Sequence, residues 1–122
     1  MDKDALIANW TLMNRLSGAA PGQARAGAAV KADAYGLGAV RVAALLWGAG
    51  CRMFFVAHWQ EAAALLGVVP AEAIAVLHGP RNGAEADFAV ASGVVPVINS
   101  ALQARVWRDA GGGLCHLMID TG

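Results

Sequence analysis

Two apolar patterns succeed one another along this chain. Near the N-terminus Leu6, Trp10, Met13 and Leu16 recur close to a 3.6-residue period, which predicts a helix over residues 4–17 with Asp4 at its cap. The cluster Ser17-Gly18-Ala19-Ala20-Pro21-Gly22 breaks that pattern and reads as a loop. Short unbroken apolar runs follow: Ala28-Ala29-Val30, Met53-Phe54-Phe55-Val56-Ala57, Ala73-Ile74-Ala75-Val76-Leu77, Val94-Val95-Pro96-Val97-Ile98 and Leu114-Cys115-His116-Leu117-Met118-Ile119. Runs without polar alternation predict strands buried on both faces, as in parallel sheets. The first run is weakened by its alanines. The fourth is weakened by Pro96, which suggests a short or bulged strand.

Helix-like segments separate the runs. Ala39 to Trp47 stops at Gly48 and Gly50, and Gln60 to Leu66 stops at Gly67. Asn82 to Ala91 opens on an Asn cap and ends before Gly93, and Ser100 to Ala110 opens on a Ser cap and ends in Gly111-Gly112-Gly113. Successive strands lie roughly 20 residues apart, the length of one βα unit. The fold class is therefore α/β. Two architectures remain open: a doubly wound open sheet, or part of a (β/α)8 barrel of the TIM type, which needs about 250 residues when whole. Only Asp120-Thr121-Gly122 follows the last strand, with no covering helix, so truncation is the expectation.

Composition narrows the function classes. Hydrophobic residues are 57% of the 122 and charged residues 15%, with a mean hydropathy of +0.49, a profile that excludes disorder. No run of about 20 uninterrupted apolar residues occurs, so no membrane span is expected. Nine basic and nine acidic side chains cancel, which argues against phosphate-driven nucleic-acid binding. Cys51 and Cys115 are far apart, form no Cys-x-x-Cys pair and read as small buried hydrophobes. The acidic opening Met1-Asp2-Lys3-Asp4 lacks the layout of a signal peptide, and a cytoplasmic location is expected.

The chain has only two lysines. Lys3 belongs to a solvated terminus, whereas Lys31 ends the first apolar run. In either architecture the carboxyl ends of the strands form the active face. An amine there is either desolvated, and so available as a nucleophile for an aldehyde cofactor, or it snorkels outward. Position alone leaves both readings open.

The residues around Lys31 add to this. The ten-residue segment Val30-Lys31-Ala32-Asp33-Ala34-Tyr35-Gly36-Leu37-Gly38-Ala39 closely resembles the pyridoxal-phosphate lysine motif of the alanine racemase family. Asp4-Ala5-Leu6 with Asn9 resembles that family's first helix. Phe55-Val56-Ala57 with Glu61-Ala62 resembles its second βα unit, and Leu117-Met118-Ile119-Asp120-Thr121-Gly122 its fifth strand and the turn after it. The likeness covers residues 1–122, but only as the N-terminal portion of such an enzyme. It implies a partial barrel with about five of eight parallel strands, a β-rich C-terminal domain absent from this chain, a homodimer, and pyridoxal 5'-phosphate as cofactor.

By the same resemblance Lys31 is the lysine that binds the cofactor aldehyde and a catalytic base on one face of the substrate. Tyr35 is the tyrosine whose hydroxyl helps hold the cofactor phosphate. Gly36 and Gly38 form the turn before the next helix. The implied activity is interconversion of L- and D-alanine by two bases, supplying D-alanine for peptidoglycan. The implied second base is a tyrosine from the other subunit. Tyr35 is the only tyrosine here, so the chain alone is expected to be inactive. Met118 stands where many family members carry a modified lysine that orients an arginine, a task methionine cannot perform. A racemase for another amino acid, such as serine, and a non-catalytic fragment that binds pyridoxal phosphate remain alternatives.

The remaining polar and aromatic residues suggest less. His58 and His78 stand near the carboxyl ends of adjacent predicted strands, without an obvious third metal ligand, and no metal is expected. His116 reads as a hydrogen-bonded core position. The four tryptophans, Trp10, Trp47, Trp59 and Trp107, read as helix–sheet packing rather than a stacking platform. Gly79-Pro80-Arg81-Asn82-Gly83 reads as a loop with an Asn cap rather than a phosphate cradle, and Arg105 and Arg108 as solvated.

Overall fold

A computed structural model describes residues 1–18 and 24–122, so the predicted loop at Ser17–Gly22 falls, from Ala19 onward, outside the described residues. Helix α1 (Lys3–Ser17) is capped by Asp2 rather than Asp4: Asp2 Oδ1 accepts from the Ala5 N–H at 3.0 Å. Asp4 lies in the first turn, where its charge complements the helix dipole. No residue of α1 is fully buried. Half-buried Leu6 and Trp10 dock the helix on the core, and the Trp10 indole N–H donates to the Ala26 carbonyl at 3.1 Å.

Five parallel strands form one sheet: β1 (Ala28–Ala29), β2 (Phe54–Val56), β3 (Ile74–Val76), β4 (Val95–Ile98) and β5 (His116–Leu117). Between them run α2 (Lys31–Tyr35), α3 (Ala39–Ala49), α4 (Trp59–Leu65), α5 (Gly83–Ser92) and α6 (Ala101–Asp109), with a 3-10 turn at Ala71–Ala73 leading into β3. Spatial order is β1-β2-β3-β4-β5, so every strand pairs with the next in sequence. A doubly wound sheet must reverse its order at a switch point. Here every crossover advances the strand order in one direction only, as around a barrel wall. The sheet is the wall of a partial (β/α)8 barrel, carrying five of its strands.

The middle of the wall is the core. Phe54, Val56, Ile74, Ala75, Val76, Val95, Val97 and Ile98 are all buried. Pro96 lies within β4 without shortening it, and at four residues β4 outlasts the other strands. Residues two apart on a strand bond to the same neighbour, and the Ile98 carbonyl accepts from the Met118 N–H on the β5 side at 2.9 Å. The missing N–H of Pro96 therefore lies on the β5 side, below the point where β5 begins, and no ladder bond is lost. The outer strands are shorter than their apolar runs, at two residues each.

Asn82 and Ser100 cap α5 and α6 as predicted, accepting from the Glu85 and Gln103 N–H groups at 3.0 and 3.2 Å. Gly48 does not stop α3, which continues to Ala49 and ends on left-handed Gly50 (φ +113°). Cys51 is buried as expected, but Cys115 is exposed because the strand it precedes is short. His116 is half-buried in β5 rather than hydrogen-bonded in the core, and its Nε2 has no partner among the described residues. Trp107 is the buried residue of α6, while half-buried Trp47 carries the Arg52 guanidinium over its ring at 4.1 Å. Arg105 is exposed, and Arg108 bonds its exposed neighbour Asp109 at 3.1 Å.

Gly79 closes the turn after β3 with φ +66°, and a Cβ there would strike the Gln103 side chain and the Val97 carbonyl. Gly79→Ala is expected to cost on the order of 2–4 kcal/mol, combining left-handed backbone strain with overpacking, as a fall in urea midpoint would register. The free edge of β5 exposes Leu114 (81%), Leu117 (71%) and Ile119 (69%). Open parallel edges with apolar side chains template further pairing. Light scattering on the 122-residue chain is expected to give a mass above the 12.5 kDa of a monomer, and a monodisperse monomer would contradict this.

Candidate active site around Lys31

Strand β1 hands its last ladder bond to Val30, whose N–H donates to the Phe55 carbonyl at 2.8 Å. Val30 is buried, and Lys31 emerges half-buried at the carboxyl rim of the sheet. The chain does not continue as an ordinary helix. Ala32, Asp33, Ala34 and Tyr35 have φ of +49°, +53°, +54° and +56°, so α2 is a left-handed turn made of four residues that have side chains. Such a conformation costs about 1–2 kcal/mol per residue, because Cβ crowds the following carbonyl. It persists only where its surroundings over-determine it.

Three sets of bonds do so. Within the turn, the Ala34 N–H donates to the Val30 carbonyl at 2.9 Å and the Gly38 N–H to the Asp33 carbonyl at 2.9 Å. Asp33 Oδ1 accepts from the Ala39 N–H at 2.7 Å, doing for the start of α3 what its cap residue Gly38 cannot. Gly36 (φ +86°) and Gly38 (φ +91°) complete the reversal. The third set comes from outside: Glu61 Oε1, on α4, accepts from the Ala32 N–H at 2.7 Å. Its Oε2 accepts from the Ala57 and His58 N–H groups at 2.7 and 3.1 Å. One carboxylate thus ties the peptide beside Lys31 to the end of β2. Burial by itself pushes the Glu61 carboxyl up, but the Ala32, His58 and Ala57 N–H donors and the His58 imidazole outweigh it, leaving the carboxyl below its ordinary value.

Lys31 and Tyr35 begin and end the same turn. Tyr35 is 66% exposed and borders a cavity of about 270 Å³ together with Asn9, Trp10, Met13 and Leu37. Lys31 is not part of that cavity's lining. A second cavity, of about 400 Å³, lies at the ends of β2 and β3, between His58, Trp59, Gln60, His78, Arg81 and Glu85. The two imidazoles meet there edge to face, with centroids 4.4 Å apart. No cluster of three or more metal-binding side chains occurs among the described residues. Arg81 and Glu85 form an ion pair at 2.7 Å, and its charge-assisted bonds hold the Glu85 carboxyl low. Side-chain amides lace the rim further, with Gln103 Nε2 donating to the His78 carbonyl at 2.7 Å and Asn99 Nδ2 to the Leu77 carbonyl at 2.9 Å. Met118 follows β5 and is half exposed.

Sequence reasoning assigned no role to Glu61 or Asp33. Glu61 sits three residues after the N-cap of α4, the place of the glutamate in a capping box, but the cap is His58 rather than Ser or Thr, which hides the signature. Its bond to Ala32 spans 29 residues and has no local signal.

The family model described as alanine racemase, N-terminal domain, matches residues 1–122. The alanine racemase of Rhizobium meliloti (strain 1021) is 44% identical over 126 aligned positions, covering 100% of this chain and 32% of that protein. The alanine racemase of Rhodospirillum rubrum is 46% identical over 112 positions, covering 90% of this chain and 29% of that protein. The crystal structure of alanine racemase from Bartonella henselae with covalently bound pyridoxal phosphate superposes with a TM-score of 0.77 at 39% identity, over 89% of this chain and 30% of that one. The chain therefore spans about a third of the length of the curated relatives it matches.

Because the Glu61 carboxyl is lowered on folding, it contributes stability that is fully present above about pH 4.5 and is lost as pH falls through its lowered value. Wild type and Glu61→Gln are expected to differ in urea midpoint at neutral pH and to converge as pH falls below the ordinary carboxyl value and through the lowered one. A difference that stays constant with pH would show that the charge contributes nothing.

Proposed function

Because the chain belongs to the alanine racemase N-terminal domain family, we propose that residues 1–122 are the cofactor-bearing part of a pyridoxal-phosphate-dependent alanine racemase. Lys31 is the residue that takes the cofactor aldehyde. The observation that supports this most directly is a primary amine at the carboxyl end of β1, set on a left-handed turn that Glu61 and Asp33 hold in place. Carboxyl strand ends are where barrel enzymes act.

The residues present fit such a group. Lys31 and Lys3 are the only lysines, and Lys31 alone stands at the rim. The exposed Tyr35 hydroxyl, four residues on, is free to donate to a phosphate. Pyridoxal phosphate, when bound, supplies the electron sink that makes removal of an amino acid's α-hydrogen feasible. Lys31 Nζ holds or returns that proton on one face. Inversion requires a second acid or base on the other face. By the family resemblance that group is a tyrosine of the other subunit of a homodimer, and the one tyrosine here, Tyr35, is assigned on this reading to the phosphate end. Peptidoglycan supply and a cytoplasmic location belong to this reading. Among the described residues no helix is long and apolar enough to cross a membrane. The substrate is alanine, and parallel assays with alanine and serine on the complete enzyme separate it from serine.

Incubation with pyridoxal phosphate, borohydride fixation and peptide mass analysis should put the label on Lys31 in preference to Lys3. Lys31→Arg should abolish the visible absorbance and the fixed label at position 31, leaving only background labelling of Lys3. A Lys31→Arg protein that still turns yellow would overturn the assignment. Racemisation by the 122 residues alone at the rate of a complete racemase would refute the need for a second group from elsewhere.

A further inference from the structure

We infer that Glu61 is a positioning residue for Lys31: its carboxylate fixes the Lys31–Ala32 peptide, and with it the direction in which the lysine amine leaves the rim. The inference rests on the reading of Lys31 just given. Its own support is geometric. Glu61 Oε1 accepts from the Ala32 N–H at 2.7 Å, and that amide is bonded directly to the Lys31 carbonyl carbon. Ala32 is also the first left-handed residue of α2. The bond therefore acts where the chain departs from β1 geometry, one rotatable backbone angle from the Lys31 Cα.

The other end of the clamp is equally fixed. Glu61 Oε2 accepts from two successive amides at the end of β2, those of Ala57 and His58. Strand β2 is β1's neighbour in the sheet, with Ala29 opposite Phe55. Glu61 thus references the lysine to the adjacent strand rather than to its own loop. Charge-assisted bonds to backbone N–H groups are short and roughly twice as strong as neutral ones. A glutamine would present a second donor to these N–H groups on one side and could not serve all three. An aspartate would keep the charge and the helix start but fall short of Ala32 by one methylene.

Glu85 provides the control. It occupies the equivalent place at the start of α5 and accepts from the Arg81 N–H at 2.7 Å, yet it makes no bond to α2. Two readouts on the 122-residue chain test the inference, with pyridoxal phosphate itself as the probe. One is hydrogen exchange at the Ala32 amide relative to the buried Ala43 amide. The other is the initial rate of borohydride-fixed labelling at Lys31 relative to Lys3. In Glu61→Gln, Ala32 exchange is expected to rise and the Lys31:Lys3 labelling ratio to fall, each by about tenfold, the factor for loss of one hydrogen bond to a charged group. Glu61→Asp is expected to lose labelling in the same direction, and Glu85→Gln to leave both readouts as in wild type. An unchanged labelling ratio in Glu61→Gln and Glu61→Asp, with Ala32 exchanging fast, would overturn the positioning role and leave the Lys31 assignment standing. An equal fall in Glu85→Gln would overturn it too, as a general stability effect. Equal labelling of Lys3 and Lys31 in the wild type would instead remove the assignment on which the inference rests.

Discussion

A left-handed turn of four residues, none of them glycine, is the constraint around which this chain is organised. Each residue disfavours the conformation, so the turn exists only because other bonds outweigh the strain. Those bonds come from two carboxylates with different reach. Asp33 acts locally, joining the turn to the start of α3, and Glu61 acts across the sheet, joining it to the end of β2. Ala34, buried in the middle of the turn, adds the only apolar anchor the turn itself supplies. The lysine at its head is thereby held by its backbone, while its amine stays free of any hydrogen bond within the protein among the described residues.

The sheet makes this local device useful. Because strand order follows sequence order, the segments after β1, β2, β3 and β4 emerge side by side on one rim. Glu61, Asn99 and Gln103 each bond the backbone of a neighbouring loop: Glu61 the one after β1, Asn99 and Gln103 the one after β3. The rim is thus stitched laterally by side chains above the level where the backbone ladder stops. A glycine at position 79 is part of the same stitching, since only without a Cβ can that loop approach Gln103 and Val97. Such stitching ties the rim loops to one another and leaves the strand bodies to supply the core.

Much of this was legible in the sequence, and the failures have physical causes. Helix starts at Asn82 and Ser100 could be read because a cap is a contact between residues three apart. The central strands could be read because burial on both faces demands unbroken apolar runs. Asp4 was mistaken for the cap because two aspartates lie two residues apart and only geometry chooses between them. Gly48 was mistaken for a stop because an exposed glycine is tolerated inside a helix, whereas Gly50 carries the left-handed angle. The reach of β5 was overestimated because apolar composition marks what a partner would cover, and Leu117 and Ile119 are exposed here. The same shortening left Cys115 outside, and the His116 Nε2 has no partner among the described residues. Glu61 was invisible for a different reason, since its decisive bond joins segments 29 residues apart.

The same distinction explains why half of the proposed site can be recognised from one stretch of sequence and half cannot. Delivering an amine to a fixed point is a problem in backbone geometry, and a turn of a few residues solves it. The solution is therefore contiguous and leaves a motif. Serving the opposite face of a planar cofactor is a problem in distance. On the proposed reading, the second group comes from a remote part of the fold or from another subunit. On the proposed reading, the single tyrosine at position 35 illustrates the limit: it lies close enough in sequence to share the lysine's turn, and for that reason it cannot stand on the other side of the substrate.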